Sequence, residues 1–80
     1  MAAQSILVTG SAGRIGQAVV RELVTRGHFV RGLDRVPTPN ASQSIVGDIT
    51  SFASVREAMS GVTALIHLAA TPDDADFMSE

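Results

Sequence analysis

The stretch Thr9-Gly10-Ser11-Ala12-Gly13-Arg14-Ile15-Gly16 decides the fold of this chain. It follows a short apolar run, Ile6 to Val8, and it opens a segment in which apolar residues recur with helical spacing. An apolar run, a glycine-rich turn and a helix in this order predict a strand–turn–helix unit, which presents unpaired backbone N–H groups to a phosphate. The fold class and the candidate ligand both follow from what surrounds this stretch.

The three glycines lie at a G-x-x-G-x-x-G spacing, a variant of the G-x-G-x-x-G fingerprint of dinucleotide-binding folds. Gly10 permits a tight turn, Gly13 lets backbone approach a pyrophosphate, and Gly16 lets the helix lie close to the strand. Ser11 can add a hydroxyl donor to the phosphate. A glycine-rich turn without a ligand is the alternative. A triphosphate-binding P-loop is a poor match, since it needs Gly-Lys-Ser/Thr and the chain contains no lysine.

The rest of the chain alternates strand and helix patterns. We expect strands at 5–9, 29–34, 44–48 and 63–69, and helices at about 14–26 and 51–60. Gly27 and Gly61 suit helix ends, and either Thr50 or Ser51 suits the start of the second helix. The alternation predicts a parallel α/β sheet, and right-handed crossovers give the strand order 3-2-1-4, the first half of a Rossmann-like fold.

The first helix carries a stripe of apolar residues that we expect to face the sheet. The members of this stripe recur at spacings of four and are Ile15, Val19, Val20, Leu23 and Val24.

Asp34 ends the second predicted strand, 18 residues after Gly16. A carboxylate there can accept hydrogen bonds from both ribose hydroxyls of adenosine and would repel a 2′-phosphate, so NAD is favoured over NADP. Arg14 and Arg35 keep NADP open, because a guanidinium can hold a phosphate. The alternatives are a turn residue for Asp34 and solvated surface charges for the two arginines.

The amino-acid composition of the chain limits which classes of ligand and partner we expect. The net charge of −2, with 6 basic and 8 acidic residues, gives no basic surface, so we expect no nucleic-acid partner. The chain has no cysteine, which excludes disulfides and thiolate metal sites, and we expect no metal. Its first apolar run is too short for a signal peptide and nothing approaches a membrane span, so we expect a cytoplasmic protein without a membrane partner. Homo-oligomerisation stays open.

Four motifs together resemble the extended short-chain dehydrogenase/reductases, and within them the NAD-dependent epimerase/dehydratase group. They are the glycine-rich stretch, Asp34, Gly47-Asp48-Ile49 and His67-Leu68-Ala69-Ala70. The resemblance implies that Asp48, with Ile49, meets the adenine ring, and that Leu68, Ala69 and Ala70 lie along the ribose and pyrophosphate. The alternatives are a capping or turn carboxylate for Asp48 and ordinary close packing for the two alanines. For His67 we favour a hydrogen-bonded core histidine.

The resemblance also implies an NAD-dependent oxidoreductase that acts on a sugar or sugar nucleotide, with a Tyr-x-x-x-Lys pair and a nearby Ser or Thr. The chain contains neither tyrosine nor lysine, so we name no catalytic residue. The segment 71–80 reads as the start of a helix. We therefore expect residues 1–80 to be the N-terminal part of a dinucleotide-binding domain in a truncated chain. A non-catalytic NAD(P)-binding or sensing module, or an inactive fragment that needs its missing half, are the alternatives.

Overall fold

A four-stranded parallel sheet forms the centre of the computed structural model, which describes residues 3–68. The strand order is β3-β2-β1-β4. This confirms the predicted Rossmann-like order, while the helix predicted at 71–80 lies outside the described residues. In chain order the elements are β1 (Ser5–Thr9), α1 (Arg14–Thr25), β2 (Phe29–Asp34), β3 (Gln43–Val46), α2 (Phe52–Ala58) and β4 (Ala64–His67).

The middle of strand β1, Ile6 to Val8, is apolar because both faces of the sheet are covered at its position. On one face Ile6 and Val8 pack with Val20 of α1 and with Val30 of β2. On the other face Leu7 packs with two buried partners, Leu33 of β2 and Ala58 of α2. The two crossovers therefore place α1 and α2 on opposite faces, and the carboxyl ends of β1 and β4 form the switch point of the sheet.

The third strand is shorter than the sequence predicts. It ends at Val46, two residues before the expected end, and the backbone N–H of Gly47 still donates to the carbonyl of Asp34 at 2.9 Å. Beyond that bond Asp48 turns the chain, because its carboxylate accepts the backbone N–H of Thr50 at 2.9 Å. An aspartate that bonds the backbone two residues later favours a turn over a strand.

The helix ends agree with the glycine signals. Gly27 and Gly61 both adopt left-handed backbone, with φ of 92° and 76°, two and three residues beyond the last residues of α1 and α2. Ser51 is the N-cap of α2, since its Oγ accepts from the backbone N–H of Ser54 at 3.2 Å. This resolves the choice between Thr50 and Ser51.

The prediction that the apolar stripe of α1 faces the sheet is only partly correct. Val20 is fully buried, and Val19 and Leu23 pack against the same cluster. Ile15, however, is 69% exposed, and Val24 is exposed as well. Ile15 lies in the first turn of α1, where it borders an open cavity rather than the core. Neither helix in residues 3–68 has the length and apolar character needed to cross a membrane.

Candidate functional site

The start of α1 carries unpaired donors. Its N-cap is Gly13, with φ −74° and ψ 173°, and no side chain caps this end. The backbone N–H groups of Arg14, Ile15 and Gly16 donate to no residue in the described part of the chain. Unpaired N–H groups and the helix dipole together give this end a partial positive charge, which suits an anion.

The turn before α1 depends on its glycines in different ways. Gly10 has φ 73°, a left-handed conformation that other residues rarely adopt, and its N–H donates to the carbonyl of Leu33 at 2.9 Å. A Cβ on Gly16 would lie 2.1 Å from the carbonyl oxygen of Gly10 and 2.7 Å from Cα of Ser11. A Cβ on Gly13 would meet only that same oxygen, at 3.6 Å, which is an ordinary contact. Gly16 therefore sets the close approach of helix and turn, whereas Gly13 is free of steric demand within the protein.

An open cavity of about 300 Å³ lies over this turn. Leu68 reaches it because its backbone N–H donates to the carbonyl of Thr9 at 3.0 Å. Among residues 3–68, the first turn of α1 thus borders open space. Ala69 and Ala70 lie outside the described residues, so their role stays a prediction. The residues that line the cavity are Gly10, Gly13, Arg14, Ile15, Gly16 and Leu68.

Ser11 differs from its predicted role. Its side chain is fully buried, and its Oγ lies 2.5 Å from Oγ1 of Thr38. The hydroxyl is therefore engaged inside the protein, and we correct the expectation that it donates to a phosphate. No local pattern predicts this contact, because the two residues are 27 positions apart.

Asp34 lies directly beside the glycine-rich turn. Its Oδ2 accepts the backbone N–H of Ala12 at 2.8 Å, and its Oδ1 accepts the N–H of Arg35 at 2.7 Å. A carboxylate oxygen has two lone pairs, so each oxygen keeps one for a further donor. The arrangement fixes the carboxylate next to the turn and leaves it able to accept two hydroxyl groups.

Asp48 and Arg35 approach each other at the ends of β2 and β3. Nη2 of Arg35 lies 3.8 Å from Oδ1 of Asp48, and both side chains are more than half exposed. The Thr50 hydroxyl, then its backbone N–H, and then the charge of Arg35 lower the pKa of Asp48 below its usual 3.8. Asp48 thus bonds within its own turn, and its contact with an adenine ring stays a prediction. Ile49 is partly buried against the cluster around Leu33.

His67 is hydrogen-bonded, as predicted, but it is exposed rather than part of the core. Its Nδ1 lies 2.6 Å from Oγ1 of Thr9, its register partner across β1 and β4. Within residues 3–68 no group of three His, Asp or Glu side chains is placed to hold a metal ion.

The parallel sheet, its strand order and the placement of the two helices define a Rossmann-like α/β fold. A family model described as the NAD dependent epimerase/dehydratase family matches residues 6–80. The chain belongs to this family.

Three similar proteins illustrate the relationship. The 3-beta-hydroxysteroid dehydrogenase of Mycolicibacterium neoaurum is 42% identical over 72 residues, which are 85% of this chain and 20% of that protein. A short-chain dehydrogenase/reductase superfamily protein from Agrobacterium tumefaciens, solved with bound NAD, is 44% identical with a TM-score of 0.74 over 92% of this chain and 24% of that one. MoeE5, solved with UDP-glucose and NAD, is 37% identical with a TM-score of 0.73 over 92% and 26%. The chain therefore spans a fifth to a quarter of the length of these relatives.

Proposed function

We propose that the chain binds NAD(H), as the cofactor-binding segment of an NAD-dependent epimerase/dehydratase-type oxidoreductase that acts on a sugar or sugar nucleotide. One observation carries the proposal. Three N–H groups at the start of α1, which have no acceptor within residues 3–68, border an open cavity, and the Asp34 carboxylate is hydrogen-bonded to the same turn. A dinucleotide has an anionic diphosphate for the first feature and ribose hydroxyls for the second.

The residues fit this ligand chemically. Backbone donors at a helix start bind an anion without a lysine, and each hydrogen bond to a charged group contributes about 1.5–3 kcal/mol. Gly13 presents no side chain to the cavity, so the diphosphate can approach the backbone closely. Leu68 adds an apolar side chain to the lining of the cavity. In this proposal Ser11, Ala12, Arg14, Ile15 and Gly16 contribute through their backbone.

The same geometry favours NAD over NADP. A 2′-phosphate would bring about two negative charges next to the Asp34 carboxylate. Arg35 could offset this repulsion, but its guanidinium already lies beside Asp48. Two relatives that align over 92% of this chain were solved with NAD. Asp48, Ile49, Ala69 and Ala70 extend the proposed adenine and ribose contacts.

A fluorescence titration tests the cofactor assignment. We expect the wild-type chain to bind NADH more tightly than NADPH, and Asp34→Ala to weaken NADH binding by about 10-fold or more, the equivalent of one charged hydrogen bond. Asp34→Asn is the matched control, because its amide oxygen can still accept the Ala12 N–H while the charge is lost. Asp34→Asn should therefore bind NADPH better than the wild type does. An unchanged NADH affinity in Asp34→Ala would contradict the role of Asp34.

The oxidoreductase part of the proposal concerns the whole protein. We assign no catalytic residue, since the Tyr-x-x-x-Lys pair implied by the resemblance needs residue types that the 80 residues do not contain. Turnover of a sugar nucleotide such as UDP-glucose by the full-length protein, followed by NADH absorbance, tests this part. NADH binding without turnover of any sugar would favour a non-catalytic NAD-binding module instead.

A further inference from the structure

The connection between β2 and β3, residues 35–42, is held by one buried side chain. All eight of its residues are described, and only Thr38 is buried, at 5% exposure. Its neighbours Pro37 and Pro39 are exposed. A proline fixes its own φ and restricts the residue before it, so the backbone on both sides of Thr38 has little freedom. We call residues 35–42 the β2–β3 loop.

Two hydrogen bonds fix Thr38. Its Oγ1 lies 2.5 Å from Oγ of the fully buried Ser11, and its backbone N–H donates to Oγ of Ser44 at 2.9 Å. In the hydroxyl pair one oxygen donates to the other, and both are shielded from water. Removing one partner would leave a buried hydroxyl unsatisfied, which costs about 1–3 kcal/mol.

Gly32 of β2 makes room for this pair. A Cβ at that position would lie 2.6 Å from Oγ of Ser11 and 2.8 Å from Oγ1 of Thr38. The two hydroxyls therefore sit against the backbone of β2, and a larger residue would push them apart. The pair is thus a packed junction of three segments: the glycine-rich turn, β2 and the β2–β3 loop.

The junction lies next to the proposed adenosine contacts. Ser11 bonds to Thr38, and the following residue, Ala12, donates to Asp34 at 2.8 Å. Ser11 and Ala12, which are consecutive in the turn, thus bond to Thr38 and Asp34, the two ends of the short segment 34–38. That segment includes Arg35, whose guanidinium reaches Asp48.

We propose that Thr38 is a positioning residue for the adenosine end of the dinucleotide. Through its bond to Ser11 it sets where Asp34 and Arg35 stand relative to the amides at the start of α1. The inference rests on the proposed NAD binding. It assigns a role in cofactor selectivity to a buried residue, since loss of the bond lets Arg35 and the Asp34 carboxylate shift relative to the ribose.

The test compares NADH and NADPH affinities of Thr38→Val, Ser11→Ala and the double variant. We expect each single variant to bind NADH about 5-fold more weakly and to discriminate less between the two cofactors, and the double variant to be no worse than either single one. Thr38→Ser, which keeps the hydroxyl, should retain the wild-type ratio. Thr25→Val is the control, because it removes an exposed threonine hydroxyl that bonds only within α1.

The outcomes separate the two proposals. If the wild-type chain does not bind NADH, the proposed function and this inference both fail. If it binds NADH but Thr38→Val and Ser11→Ala keep the wild-type NADH/NADPH ratio, the positioning role alone is wrong, whatever their melting temperatures. Should Thr38→Val not fold, Ser11→Ala removes the same bond with a smaller change and decides the matter by the same ratio.

Discussion

The two helices that pack against the sheet differ in how their first N–H groups are capped. The N-cap of α1 is Gly13, and the first N–H groups of this helix have no acceptor within residues 3–68, whereas the N-cap of α2 is Ser51, whose hydroxyl accepts from the N–H of Ser54. Helix α2 is also satisfied at its other end, where Nη1 of Arg31 donates to the carbonyls of Ala58 and Ser60 at 2.6 and 2.7 Å. The helix with unsatisfied polar groups is the one beside the candidate site. A helix start normally has its N–H groups capped by a side chain. The difference shows that this cap is missing where a ligand is expected to accept those N–H groups instead.

The cost of the missing cap is modest. A good N-cap stabilises a helix by about 1 kcal/mol. In α1 the length of 12 residues and the burial of Val20 against the sheet offset the loss of that contribution. Helix α2 has only 7 residues and buries only Ala58 among them, so it depends more on its end contacts.

The largest expected effect comes from filling the contact between α1 and the turn. Gly16→Ala gains about 1 kcal/mol of helix propensity, but its Cβ would stand 2.1 Å from a backbone oxygen, and overpacking against backbone costs about 3 kcal/mol or more. We expect the melting temperature to fall by about 10 °C or more. Gly13→Ala is the matched control and should lose less than about 1 kcal/mol. Equal melting temperatures for the two variants would contradict the close-approach role of Gly16.

A second substitution, Gly13→Asp, gives α1 a side-chain N-cap like that of α2. Gly13 has extended backbone suited to an N-cap, so the carboxylate of Gly13→Asp can accept the free N–H groups and add favourable charge at the helix start. We expect the free energy of unfolding to rise by a few tenths of a kcal/mol and NADH affinity to fall about 100-fold. Thermal melting and fluorescence titration measure the two. A variant that gained stability and still bound NADH as tightly would place the diphosphate elsewhere.

The smallest effect is expected at α2. Ser51→Ala removes its N-cap and should lower the free energy of unfolding by about 1 kcal/mol while leaving NADH affinity unchanged. Ser51→Asp, which restores an acceptor, is the control and should recover the loss. Chemical denaturation measures the stability, and a weakened NADH affinity in Ser51→Ala would show that the two helix starts do not have separate roles.

The sequence predicted the architecture because the relevant signals are local. Glycine spacing, apolar runs and crossover handedness were enough for the six elements and the strand order. The error at β3 arose because Asp48 could continue a strand or bond to Thr50, and only the folded chain shows the second choice.

Two features of the candidate site had no local signal. Ile15 matches the helical stripe, yet it is exposed because it lies in the first turn, beside the cavity. The sequence around Thr38 predicts only a polar residue in a proline-containing loop. Its burial depends on contact with Ser11, which belongs to another segment. Pairings between distant residues follow from tertiary packing, which spacing along the chain does not encode.

The pairing of β4 with β1 sets the order in which the crevice can be assembled. Their contacts, including Thr9 with His67, join residues 58 positions apart, so closing that loop carries a large entropic cost during folding. The glycine-rich turn is synthesised before Leu68, which lines the same cavity. Its wall at Leu68 is added only after the whole intervening chain has been synthesised. The cavity over the turn is therefore complete only after β4 has paired with β1.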